Sequence, residues 1–189
     1  MGLLMVDSIW PDEWYNPHIL NPEYGIRPID IDFRRLVYRA FNGRQPPVEL
    51  PLRTTAERLA TSPWLAPAAG YAMFDASARA VIDEVAWNGD VRWLPLVIET
   101  PLGEVEEYQI AAQSLDGGDF LYEPRTTRDP RGVPIRWVLD PAKLGDRQVL
   151  VVPGVTSAGL VMRGRVLQQL LDLGAKGIEI RHARVARSS

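Results

Sequence analysis

Apolar residues recur along this chain with two periods, and the clearest run lies near its end. Val166, Leu170 and Leu173 fall at i, i+4 and i+7 with Leu167 and Leu171 beside them, one wide stripe at the helical period. Gly174 predicts the stop, because a residue without Cβ takes the left-handed conformation of a helix C′ position at little cost. Val161-Met162 reads as a short strand before the helix. Ile178 and Ile180 alternate with Glu179 and Arg181 in a returning strand, so that one face can sit on the helix. In a regular strand His182 joins the Ile178 face as a packed residue.

An earlier stretch carries the same order. After Met73-Phe74, Ala78, Ile82 and Val85 stand where Val166, Leu170 and Leu173 stand later, and Val91 and Trp93 correspond to Ile178 and Ile180. Residues 72–98 and 160–185 thus read as two copies of a helix-then-strand unit, although any two amphipathic helices followed by strands look alike. Asp75 is the expected N-cap of the first helix. Strands over 91–98 and 105–112 predict a hairpin turning over Glu99–Gly103, with Glu106, Tyr108, Ile110 and Ala112 on its core-side face.

The remaining segments are shorter. Residues 7–28 hold Trp10, Trp14, Tyr15 and Tyr24 among four prolines, which forbids a regular helix and predicts a Pro- and aromatic-rich arm over 1–28. The arm either wraps on its own core or offers an aromatic contact surface. A helix is expected over Asp30–Phe41. Val48–Leu52 reads as an edge strand because Pro51 cannot donate to a ladder. Thr54 or Thr55 should cap a brief helix through Leu59, and Trp64 and Leu65 should tuck under the break at 63–70. Beyond the hairpin come a turn at Leu115–Phe120, a loop with three arginines over 123–134, and a strand at Ile135–Leu139. A helical turn with Pro141 at its first position and a buried strand at 149–153 follow. These elements predict one α+β domain over residues 1–189, a largely antiparallel sheet with a few packed helices.

Composition narrows the chemistry. The 189 residues include no cysteine, which excludes disulfides, thiol catalysis and cysteine-bound metals. Neither a basic, apolar leader nor a membrane-length apolar run occurs, so a non-exported, cytoplasmic protein is expected. The net charge of −3 conceals an asymmetry: residues 1–122 carry 18 acidic and 9 basic side chains, residues 123–189 carry 6 and 12. An overall acidic balance disfavours nucleic acid as the main ligand. The two histidines, His18 and His182, give no metal-ligand spacing, and neither has the neighbours of a catalytic triad. No metal, cofactor or catalysis is therefore expected. Glu99, Glu104, Glu106, Glu107, Asp116 and Asp119 form an acidic run uninterrupted by any basic residue. It is either a solvated face or a contact for a basic partner.

The terminal pattern of Leu171, Gly174, Gly177, Ile178 and Ile180, with its looser copy before Trp93-Leu94-Pro95-Leu96 and the strand Tyr108-Gln109-Ile110, resembles the Imm11 family of bacterial immunity proteins (the DUF1629 group). The resemblance covers roughly residues 70–185. It departs at Met162-Arg163-Gly164-Arg165, where members commonly carry Val-Ser-Glu/Asp-Arg, so the serine N-cap is missing. The resemblance implies an antidote that binds and silences a cognate secreted or contact-delivered bacterial toxin, without catalysis of its own. Were that toxin a nuclease, its basic groove would meet the acidic residues of 99–119. A carboxylate-dependent hydrolase and a non-immunity adaptor are the competing readings.

Overall fold

The computed structural model describes residues 9–19, 27–28, 50–55, 63–65, 72–87, 90–105, 107–112, 119–152, 159–174 and 178–187. In chain order the elements are β1 (Trp14–Ile19), β2 (Arg27–Pro28), β3 (Leu50–Arg53), β4 (Trp64–Leu65), β5 (Met73–Phe74), α1 (Ala76–Val85), β6 (Arg92–Thr100), β7 (Gly103–Val105) and β8 (Gln109–Ala112). Then follow β9 (Thr127–Arg128), β10 (Pro134–Arg136), α2 (Pro141–Leu144), β11 (Val149–Val151), β12 (Leu160–Arg163), α3 (Gly164–Asp172) and β13 (Ile178–His182). The expected helices over 30–41 and up to Leu59, and residues 115–118 of the expected turn, lie outside the described residues.

One sheet has the order β11-β12-β1-β13 and is antiparallel throughout. A second runs β2-β3-β6-β8-β5-β4, with β7 also paired to β6, and its β3–β6 ladder is parallel. A small β9–β10 hairpin stands apart. The fold is α+β with largely antiparallel pairing.

Both helix-strand stretches adopt one topology. β5 and β6 each pair antiparallel with β8 between them, so they run parallel to each other with α1 as their connection. β12 and β13 flank β1 in the same way, joined by α3. Each is a split β-α-β unit. The middle strand comes from later in the chain in the first unit and from the N-terminal segment in the second, so the likeness is one of topology.

The four-stranded sheet is covered on both faces, and strict alternation sorts its side chains. Tyr15, Val149, Val151, Leu160 and Met162 face Ala78 and Ile82 of α1 and Val166, Leu167 and Leu170 of α3. Trp14, Leu150, Val152 and Val161 face the other way, onto Phe120, Leu121, Leu139 and Leu144. Phe74 joins the first cluster, edge-to-face with both Trp64 and Trp93. Trp64 is fully buried, as expected. Asp75 caps α1 through the Ala78 amide, and Asp140 caps α2, with Pro141 at its first position.

β1 is the main departure from the expected arm. Its Pro17 is accommodated because pairing with β12 ends at Tyr15, leaving β13 as the single neighbour there. The strand enters through a close contact. Backbone amides of Gly164 and Arg165, at the start of α3, donate to the carbonyls of Glu13 and Pro11 at 2.9 and 3.1 Å. They replace the missing side-chain cap; Arg163 occupies the N-cap without capping through its side chain. Arg163 instead donates to the Asp12 carbonyl and lies over the Trp14 ring, and Arg165 pairs with the Asp12 carboxylate. A Cβ on Gly164 would fall well inside contact distance of the Trp10 carbonyl oxygen, which is why glycine stands there.

Several other expectations change. Leu173 is 41% exposed rather than part of the buried stripe, because α3 turns out through Gly174, whose amide donates to Leu171. β3 is interior, between β2 and β6. The Thr54 amide bonds Glu99 on β6, so by the alternation of strand amides Pro51 directs its missing donor away from that ladder. His182, at the end of β13, is exposed: its ring is 4.8 Å from Tyr15 and its Nδ1 3.0 Å from Glu13 Oε2. The arginine loop is ordered as β9 and β10 around Asp129, whose carboxylate accepts from the amides of Arg131 and Val133. The Ile135–Leu139 strand is correspondingly interrupted after Arg136.

An ion pair ties the first unit to the segment that leads into β11 of the four-stranded sheet. Arg147 Nε lies 2.9 Å from the buried Asp90 carboxylate, and its guanidinium sits over Trp87 at 4.3 Å and Phe120 at 5.1 Å. Gly164→Ala is expected to destabilise the protein by about 1–3 kcal/mol, the usual effect of forcing an extra methyl into a packed contact. Arg147→Ala should cost about 3 kcal/mol by leaving a buried carboxylate unpaired. Urea unfolding checks both, and either variant unfolding at the wild-type midpoint would contradict the assignment.

Candidate functional site

The acidic run is dispersed by the fold. Glu99 lies on β6 in register with Arg53 of β3, whose Nε and Nη2 donate to its Oε2 at 2.9 and 2.8 Å. Glu104 stands directly across β6–β7 from Glu99 and is exposed, as is Glu107. Asp119 belongs elsewhere, beside α2, where it accepts from the Leu121 amide and from Lys143 Nζ at 3.3 Å. Glu106 and Asp116 lie outside the described residues. Two of the six carboxylates are therefore matched by basic side chains, and among the described residues Glu104 and Glu107 are exposed acids beside β6.

The hairpin itself is tight. Its strands run two residues further than the sequence pattern suggests, closing at Thr100 opposite Gly103 with only Pro101 and Leu102 between. Thr100 Oγ1 accepts from the Leu102 amide and donates to the Gly103 carbonyl, which braces the tip. Leu102 is left 67% exposed. Between β7 and β8 the register with β6 slips by one residue, so a bulge falls around Glu107 before Tyr108 turns back into the core.

A second feature was not anticipated from the sequence. On the Trp14 face of the four-stranded sheet, a cleft of about 350 Å³ opens between β13 and β10. Register partners Asn16 and Arg181, with Ala183, form its floor, and Ile135, Arg136 and Trp137 its wall. His182 and Arg184 complete the lining, which includes no carboxylate. The chain beyond β13 is pinned there: the Leu139 amide donates to the Arg184 carbonyl and the Ala186 amide to the Leu139 carbonyl. Arg181 bonds Glu179 at 2.5 Å, a contact that raises its pKa above the ordinary arginine range. The excess of basic residues in 123–189 was the available signal. It gave no position, because the cleft draws on three separated segments.

Among the described residues, no group of three or more histidine, aspartate or glutamate side chains could hold a metal ion. No described helix is long and apolar enough to cross a membrane.

Asp119 gives a pH-dependent test of the local geometry. Partial burial pushes its carboxyl up, but the Leu121 amide, Lys143 and Arg128 outweigh this and hold it below the ordinary carboxylate range. A carboxyl depressed by folding contributes stability above its unfolded pKa and loses that contribution as pH falls through the folded value. Asp119→Asn should thus cost under about 1 kcal/mol at neutral pH, as exposed pairs do. The difference from wild type should close in acid; a gap that persists at low pH would contradict the pairing.

No family model matches the chain, and no curated protein sequence matches it.

Proposed function

We propose that this protein acts by binding another protein, as an immunity protein that holds and silences a cognate bacterial toxin in the cytoplasm of the cell that makes both. The observation that supports this reading is the β6–β7 hairpin tip, where the exposed Leu102 is presented on a braced turn between the exposed Glu104 and the Glu99 of the Arg53 pair. An apolar anchor beside an exposed carboxylate, Glu104, suits a contact with a basic protein surface, the apolar residue at its centre and the charge at its rim. Its charges would chiefly raise the association rate and select the partner.

A nuclease toxin fits this chemistry, since a phosphate-binding groove is lined with cations. The protein co-expressed with the toxin encoded beside it is expected to form a one-to-one complex and to abolish toxin activity. Glu104→Lys with Glu107→Lys should slow association about tenfold or more at low salt, with the difference shrinking as salt rises. Leu102→Asp should shorten the lifetime of the complex. Stopped-flow and surface binding measurements read both effects. Absence of a complex would overturn the immunity reading, while unchanged association in the charge-reversed variant would remove the hairpin from the interface. Turnover of an ester or phosphodiester by the purified protein would favour the hydrolase reading, and a complex that leaves toxin activity intact the adaptor reading.

A further inference from the structure

We propose that the cleft between β13 and β10 binds a nucleoside monophosphate, with the phosphate held by Arg136 and Arg184 and the planar ring laid against Trp137. The cleft is on a different surface feature from the hairpin and the inference stands independently of the toxin-binding reading.

Three arginines are among the residues that line this cleft, and no carboxylate residue is. They are not equivalent. Arg181 is already matched by Glu179, whereas Arg136 and Arg184 are exposed and form no ion pair among the described residues. Two unneutralised cations suit a phosphate monoester, which carries close to two negative charges at neutral pH, better than a singly charged carboxylate. The guanidinium fork also matches phosphate oxygens in a bidentate manner.

The other lining residues define the rest of the ligand. Trp137 is half-buried, packs against the Trp14 cluster and lines the cleft, and that packing restrains its ring before any ligand arrives. A fixed indole is a stacking surface for a base. Asn16, 6% exposed on the floor beside Arg181, supplies an amide at the inner end, and Ile135, 67% exposed, an apolar rim. A volume of about 350 Å³ is at the small end of ligand sites, which suits one nucleotide.

Calorimetric titration with AMP, inorganic phosphate and adenosine tests the assignment. AMP is expected to bind at least about tenfold more tightly than either fragment, because only it engages both the cations and the ring. Arg136→Ala and Arg184→Ala should each weaken AMP binding about tenfold. Because Arg184 is exposed and holds Leu139 only through its backbone carbonyl, its thermal midpoint should stay at the wild-type value. Trp137→Leu should bring AMP down to the affinity of phosphate and leave phosphate binding unchanged. A 5′-phosphorylated dinucleotide shares this chemistry as the end of a strand; it should bind no tighter than AMP, and a preference for it of about tenfold would overturn the free-nucleotide assignment. The proposal also fails if AMP gives no heat at millimolar concentration, if phosphate or adenosine equals it, or if both arginine variants bind AMP like wild type.

Discussion

The close approach of the Trp10–Tyr15 segment to the start of α3 determines how the rest of this structure is assembled. A helix begins with amides that have no partner in the preceding turn, and the segment leading into β1 brings the Glu13 and Pro11 carbonyls that satisfy two of them. That exchange requires backbone to meet backbone, and only glycine at 164 leaves the room. Once seated, β1 separates β12 from β13 and completes their sheet. Its Tyr15 and Trp14 then contribute to the cores on opposite faces. The Trp10 amide donating to the Tyr15 hydroxyl closes the approach.

From this seating the two surface features follow. Because β1 lies beside β13, Asn16 and Arg181 share a face, and β10 with Trp137 walls it, which creates a basic cleft. The acidic hairpin belongs to the other unit, built on β6. The Asp90–Arg147 pair and the packing of α1 on α3 hold the units together, so opposite charge balances are presented on one scaffold. The sign asymmetry between the two parts of the chain is partly consumed in this joint, as well as in Asp119–Lys143 and Arg165–Asp12.

Much of the local structure was legible in the sequence because it depends on neighbours in the chain. The α1 cap at Asp75, the Pro141 turn, the Gly174 stop and the hairpin around Pro101 all follow from short-range chemistry. What escaped depends on distant partners. Nothing near Pro17 indicates a place inside a sheet, since the tolerance comes from where the pairing of β1 with β12 stops, at Tyr15. Arg163-Gly164 looked like a degraded cap, whereas the capping groups belong to residues some 150 positions earlier. His182 has the parity of Ile178 and Ile180, yet the strand ends beyond their cover and leaves it exposed. The acidic run illustrates the same limit, because its linear cluster includes Glu99, facing Arg53 from another strand, and Asp119, drawn to Lys143. The cleft was hidden for the converse reason: its arginines come together only in three dimensions.

Native-state hydrogen exchange of the Gly164 and Arg165 amides reports most directly on whether the N-terminal strand organises the fold. With those amides bonded to Glu13 and Pro11, they should exchange as slowly as the buried β12 amides and open only with global unfolding. Exchange at the rate of a frayed helix end, while β12 stayed protected, would contradict the account.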